Sequence, residues 1–192
     1  MNLPNKLTVG RILLVPFFVA ALLIPFPMHT LAALLLFIAA SVTDLLDGKI
    51  ARKNHLVTDF GKFADPLADK ILVLSALLCF VQLGWCDCVA VIVVLFREFA
   101  VTSIRLIAAS KGKVVAANTW GKVKTVTQMV AIITILVLRS VGDIVSLTIG
   151  AVPVMDTAFF IIGECLIWIS TVFAIISGVI YIMQNKHFIA DK

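Results

Sequence analysis

Charged side chains make up only 14% of these 192 residues, and that shortage excludes an ordinary water-soluble domain, where about a quarter of residues carry charge. Strict apolar–polar alternation is also missing, which excludes an outer-membrane β-barrel. The apolar runs are too long and continuous for a coiled coil or a disordered tail. No internal repeat supports an inverted-repeat transporter, and no Gly/Ser-rich linker or low-complexity tract divides the chain, so residues 1–192 read as one domain. Cys79, Cys86, Cys88 and Cys165 lack CxxC spacing, and neither they nor His29, His55 and His187 have the spacing of a zinc site. The cysteines read as apolar fillers, with a redox role for Cys86 and Cys88, which flank Asp87, as the alternative.

What remains is apolar. Hydrophobic residues fill 61% of the chain and mean hydropathy is +1.12, the composition of an all-α polytopic membrane protein. Six apolar stretches can be marked, at about 10–27, 30–52, 67–84, 89–110, 120–140 and 157–183. A short amino-terminal interfacial segment precedes the first, with Pro4 and residues 5–8 resembling a helix start and Lys6 and Arg11 at headgroup level. Pro25 and Pro27 close that span. The run after Arg11 has no small-x-small cleavage site and further spans follow, so the first helix is expected to stay.

The net charge of +5 is a topology signal rather than a nucleic-acid one. Threading alternate links to opposite sides collects Lys6, Arg11, Lys49, Arg52, Lys53, Lys62, Lys70, Arg105, Lys111, Lys113, Lys122, Lys124, Lys186 and Lys192 on one side, against Arg139 on the other, with Arg97 inside the fourth span. Positive-inside bias then puts both termini in the cytoplasm.

Against this background the segment SVTDLLDGKIARKNHLVTDFGKFADPLADK, residues 41–70, is costly. An aspartate near mid-membrane is penalised by ~2.5–3.5 kcal/mol on insertion scales, less near the interface, and this segment places Asp44, Asp47, Asp65 and Asp69 around the junction of spans two and three. Asp44 and Asp47 lie i,i+3, on a helix face with Ser41, Gly48 and Ala51, and Asp65 and Asp69 lie i,i+4. Four carboxylates near a watery interface favour a hard divalent cation, Mg²⁺ or Mn²⁺, and are enough for a two-metal site. Gly48 and Gly61 leave room for a large anionic group near the backbone. Pro66 means either that Asp65 caps a helix beginning there or that a helix starting near Thr58 runs through it; periodicity leaves both open. Asp59 reads as part of a cap with Thr58.

The pattern Asp44-x-x-Asp47-Gly48-x-x-Ala51-Arg52, eight residues, then Gly61-x-x-x-Asp65-x-x-x-Asp69 resembles the signature of the CDP-alcohol phosphotransferase family at every fixed position and spacing. With average residue usage, such a match arises by accident on the order of once in 10¹⁰ starting points. The resemblance implies six transmembrane helices, a homodimer, and a polar cavity open to the cytoplasmic side. It also implies metal binding by Asp44, Asp47, Asp65 and Asp69, with Asp69 as general base and Gly48, Ala51, Arg52 and Gly61 lining the CDP moiety. MNLPNKLTVGR at the amino terminus and REFAVTSIRLIAASKGKVVAANTWGKVKTVTQ later on resemble the branch that joins CDP-diacylglycerol to sn-glycerol 3-phosphate and releases CMP. This likeness covers roughly the first 130 residues and implies a bacterial plasma membrane enzyme of phospholipid biosynthesis.

A phosphorylated acceptor needs its own cations, and the candidates are Arg97, Arg105, Lys111, Lys113, Lys122 and Lys124. Arg105 stands seven residues from Glu98, nearly on one helix face, and Lys124 shares a face with Gln128. Arginine forks suit phosphate oxygens and lysine supplies point charge. For Arg97 the alternative is an acidic partner deep in the bundle; individual lysines also serve topology and anionic-lipid attraction. Glu164, towards the outward half of span six, reads as an interhelical hydrogen-bonder or dimer contact. Two other readings compete: a family member with another acceptor, such as inositol phosphate or serine, and a cation transporter, which the clustering of carboxylates towards the positive side disfavours.

Overall fold

The computed structural model describes residues 3–53, 59–113, 118–150 and 152–186, with side chains described over 8–43, 68, 70–113, 118–150 and 152–186. Six helices account for nearly all of them: α1 Leu3–Leu23, α2 His29–Lys53, α3 Asp59–Gln82, α4 Cys88–Ser110, α5 Thr119–Ile149 and α6 Pro153–Asn185. No strand occurs among the described residues. Two helices, α5 and α6, are long and apolar enough by length and composition to cross a membrane; shorter apolar stretches cover Thr8–Leu23, His29–Thr43 and Lys70–Gln82. Charge interrupts the rest, most visibly Arg97, Glu98 and Arg105 within α4.

Local chemistry sets the helix ends. Asp87 caps α4, its side chain accepting from the Val89 N–H at 3.0 Å, and Asn118 caps α5 by accepting from the Gly121 N–H at 2.7 Å. α3 stops in a Schellman turn: Gly84 (φ 68°) donates to the Val81 carbonyl at 3.0 Å and Trp85 to the Phe80 carbonyl at 2.8 Å. α4 ends the same way at Gly112 (φ 71°), with Lys113 donating to the Ala108 carbonyl at 2.9 Å. The left-handed turn needs glycine, because a Cβ there would crowd the following carbonyl.

Some boundaries differ from expectation. The helix start expected near Pro4 is seen, but α1 runs from Leu3 without a break, so no separate segment precedes the first apolar run; Pro4 sits in the first turn, where a missing N–H is harmless, and Arg11 is only 1% exposed. α5 extends to Ile149 rather than ending near residue 140, and α6 begins at Pro153. The reason is that Asp143, half-buried, is satisfied by α2, accepting from the Thr30 hydroxyl at 2.6 Å and approaching His29 Nε2 at 3.8 Å, so its charge does not end the helix. Of the two options for Pro66, the helix passing through it holds, for α3 starts at Asp59.

The contacts between the helices close a ring: α1 packs on α2 and α3, α2 on α5, α5 on α6, α6 on α4, and α4 on α3. The core is built from Phe18, Leu22, Phe37, Leu77, Phe80, Ile132 and Leu136, interleaved with Ala33, Ala40, Ala76, Ala90 and Ala131, whose small side chains let helix backbones come close. Phe18 and Phe37 meet with ring centroids 5.7 Å apart. Outside this core large apolar side chains are exposed, among them Phe17, Phe96, Phe99, Leu106 and Val154, in keeping with the membrane character of the apolar helices.

One end of the ring holds Trp85, whose ring lies 4.9 Å from the Arg139 guanidinium carbon, and Asp156, 3.5 Å from Arg139. There Glu164 accepts from the Asp87 N–H at 2.9 Å and from Trp168 Nε1 at 2.8 Å, the interhelical role expected of it. Cys86 and Cys88 at this end are free thiols, and burial, followed by Glu164, Asp87 and Cys88, pushes the Cys86 thiol up to about 12. Replacing Thr30 with Val, which keeps shape and removes the donor to Asp143, should lower stability by about 1–2 kcal/mol in denaturant titrations in detergent. An unchanged midpoint would mean that the contact contributes nothing.

Candidate functional site

At the opposite end, the backbone brings the motif helices together. Asp44 and Asp47 fall in the last turns of α2, and Asp65 and Asp69 in the first turns of α3, where both helices flank one short link and pack on each other. The side chains of these four aspartates, and of Gly48, Ala51, Arg52 and Gly61, lie outside the described residues, as do His55 and His187. Among the described residues, no three His, Cys, Asp or Glu side chains form a metal-ligand set.

Beside the motif a cavity of about 400 Å³ opens between α3, α4 and α5, lined by Lys70, Arg97, Glu98, Thr102, Arg105, Gly121, Lys122 and Thr125 together with Val101 and Val126. Among the described residues of the lining, four cations face one carboxylate. Three of the predicted acceptor residues, Arg97, Arg105 and Lys122, line it directly. Lys124 is 5% exposed and points to a smaller adjoining chamber, while Lys111 and Lys113, exposed at the turn after α4, are not in the lining.

Glu98 organises these cations. Its Oε1 accepts from Arg97 Nη1 at 2.8 Å and from Lys124 Nζ at 2.6 Å, tying α4 to α5. Arg97 Nη2 also donates to Ser177 Oγ on α6. The acidic partner that was the alternative for Arg97 is therefore present, and the side chain also borders the cavity. Gly178 makes this possible, since a Cβ there would sit 2.9 Å from Arg97 Cγ. Arg105 is held differently: its Nε donates to the Tyr181 hydroxyl at 3.3 Å and its guanidinium carbon lies 5.5 Å from that ring's centre. Tyr181 is buried and is the chain's single tyrosine. Lys70 is fixed by Thr102, to whose hydroxyl it donates while that hydroxyl donates to the Glu98 carbonyl at 2.7 Å.

Sequence reasoning counted Lys70 only as a topology charge and used Glu98 only as a marker of helix face. The signal for both was present. Lys70 directly follows the last motif aspartate, and Glu98 is the sole acid in a helix carrying two arginines, where an unpaired charge would be expensive. A further cleft of about 340 Å³, mostly apolar, begins one turn from Asp44 at Ser41 and is walled by Ala40, Leu72, Val73, Met129, Val130 and Ile133, with Arg11 at its edge.

An all-helical bundle with a polar, cationic cavity beside an eight-position acidic signature defines the class. The chain belongs to the CDP-alcohol phosphatidyltransferase family, whose profile matches residues 1–176. It is 43% identical over 196 residues to a Bacillus subtilis (strain 168) protein named CDP-diacylglycerol–glycerol-3-phosphate 3-phosphatidyltransferase, covering 96% of this chain and 95% of that one. A protein of the same name from Rickettsia bellii is 37% identical over 187 residues, covering 97% of each. A cardiolipin synthase (CMP-forming) from Oryza sativa subsp. japonica is 36% identical over 198 residues, covering 96% of this chain and 57% of its own length.

The shared carboxylate predicts strong coupling. Glu98→Gln should destabilise the detergent-solubilised protein by roughly 3 kcal/mol, because two buried cations lose their counter-charge. Adding Lys124→Met should restore part of that loss, a non-additivity that a double-mutant cycle of unfolding midpoints would detect. Additive effects would show that the contact is not energetically coupled.

Proposed function

We propose that this chain is a membrane phosphatidyltransferase that joins CDP-diacylglycerol to sn-glycerol 3-phosphate, giving phosphatidylglycerophosphate and CMP in phospholipid biosynthesis. The observation that carries the reading is the complete aspartate signature at the α2–α3 junction, set beside a cavity with four cations. The relatives that match over nearly their whole length and bear that activity as their name support the choice of acceptor.

The chemistry follows from charge. A hydroxyl of the acceptor attacks the diacylglycerol-bearing phosphorus and CMP leaves, so anion meets anion and positive charge must offset the repulsion. Asp44, Asp47, Asp65 and Asp69 would hold divalent cations, Mg²⁺ or Mn²⁺, two per site; their all-oxygen, tetracarboxylate donor set on two packed helix ends fits hard metals. Bound there, the metals would neutralise the pyrophosphate. Asp69 takes the proton of the attacking hydroxyl, and Gly48, Ala51, Arg52 and Gly61 line the CDP moiety. Arg105, Arg97 and Lys122 supply the acceptor-phosphate site, with Arg105 able to offer a planar fork; Lys124 adds charge from the adjoining chamber, where it is bonded to Glu98, and Lys113, exposed at the turn after α4, adds to the positive charge of that end. The apolar cleft at Ser41 and Leu72 suits an acyl chain entering from the bilayer.

In this reading all six helices span a bacterial plasma membrane, both termini and the active site face the cytoplasm, and the protein works as a homodimer. The excess of Lys and Arg at the motif end supports that orientation.

Purified protein with Mg²⁺ or Mn²⁺ should release CMP from CDP-diacylglycerol when glycerol 3-phosphate is added, and far less with inositol phosphate or serine. Asp69→Asn should abolish that release while leaving the unfolding midpoint near its original value. Equal turnover with all three alcohols would reject the acceptor assignment. Orientation is checked separately at Cys88, the exposed thiol of the outer turn, since Cys86 is buried and resists deprotonation. A membrane-impermeant maleimide should label intact cells at Cys88, with labelling lost in Cys88→Ser. Labelling only after permeabilisation would invert the topology.

A further inference from the structure

The smaller chamber that adjoins the cationic cavity contains a group that the reaction scheme has not used. Gln128, on α5, is 2% exposed, and its side-chain Nε2 has no hydrogen-bond partner among the described residues. A buried amide donor left unsatisfied costs about 1–3 kcal/mol, so native proteins rarely keep one without a reason. Gln128 faces a chamber of about 40 Å³ lined also by Lys70, Glu98, Lys124 and Thr125. Lys70, Glu98 and Thr125 border the larger cavity as well, so the chamber adjoins it as an inner recess.

Size and polarity limit what fits. The recess accommodates a few water-sized groups, enough for a carbon bearing a hydroxyl and too little for a phosphate with its cation shell. Val73 and Leu74 form its α3 side, placing it within about a turn of the position of Asp69. A polyol phosphate with its phosphate among Arg105, Arg97 and Lys122 would reach this recess with its hydroxyl end.

We infer that Gln128 is a specificity-determining residue, whose amide donates to the secondary hydroxyl of the acceptor and so orients the adjacent primary hydroxyl for attack. This rests on the acceptor reading given above. A hydroxyl that merely fills an apolar recess is poorly distinguished, whereas one that satisfies a buried donor is required, because the analogue lacking it leaves that donor unpaired. A single ordered water satisfying Gln128 is the competing explanation, and it predicts no acceptor dependence.

The test compares glycerol 3-phosphate with 3-hydroxypropyl phosphate, which lacks only the secondary hydroxyl, on the full-length protein and on Gln128→Met, a change that keeps volume and removes the donor. The original protein should prefer glycerol 3-phosphate by roughly tenfold to a hundredfold in kcat/KM for CMP release, and Gln128→Met should reduce this ratio to near one with its unfolding midpoint unchanged or raised. Ligand-induced thermal stabilisation, read without turnover, should show the same gap between the two phosphates in the original protein and none in the variant. Absence of CMP release with a stabilisation gap that vanishes in the variant would reject the proposed reaction and keep the recess assignment. A preference that survives in Gln128→Met, or an equal loss with both acceptors together with a lowered midpoint, would overturn the inference and leave Gln128 with a water-bound or purely structural role.

Discussion

Charge buried among apolar helices must be offset where it stands, and the rest of this structure is arranged around that constraint. Glu98 is the clearest instance. One carboxylate oxygen receives Arg97 and Lys124, Arg97 continues to Ser177, and three helices are joined by a single polar cluster. Hydrophobic burial does little to drive one helix against another in lipid, because the tails are as apolar as leucine. Packing of small residues and polar links of this kind then decide which faces meet. Thr30 with Asp143 plays the same part between α2 and α5, and Glu164 with Asp87 between α6 and the turn before α4.

The two ends of the ring resolve the constraint differently, and that difference separates scaffold from site. At the end bearing Trp85, Arg139 is matched by Asp156 and an aromatic face, and Asp143 by Thr30 and His29. At the other end Lys70, Arg97, Arg105 and Lys122 line a cavity in which, among the described residues, Glu98 is the one acid. In the proposed reading these cations gain their partner when an anionic substrate enters, so the electrostatics of the described lining would supply affinity. Glu98 keeps Arg97 and Lys124 in place.

How much of this was legible beforehand depended on whether the signal was local. The apolar runs gave six helices in the right order, since length and composition act within each segment. The aspartate signature gave the family, because chemistry at fixed spacing is a sequence property. The end of α5 was missed because what satisfies Asp143 is Thr30, 113 residues away, and no window along the chain contains both. Pro66 was undecidable for a related reason: a proline inside a helix costs a hydrogen bond that surroundings can compensate, and the surroundings are tertiary. Arg105 and Lys122, singled out from their charge and position, both line the cavity. The role of Glu98 was not singled out, although an acid between arginines on an apolar helix was a readable warning.

Acceptor choice in this architecture cannot come from cations alone. In the proposed reading Arg105, Arg97 and Lys122 hold the phosphate, and any phosphorylated alcohol of suitable size presents one. Discrimination has to come from the uncharged end of the acceptor, where a neutral donor held away from water registers the presence or absence of one oxygen. Gln128 has that position: it is rigidly placed on α5, four residues from Lys124, and its amide carries a standing penalty that only a correctly placed oxygen removes. The unsatisfied amide and the Glu98 cluster are thus two uses of one physical fact. In a medium without competing water, a paired polar group fixes the fold, and an unpaired one waits for a ligand.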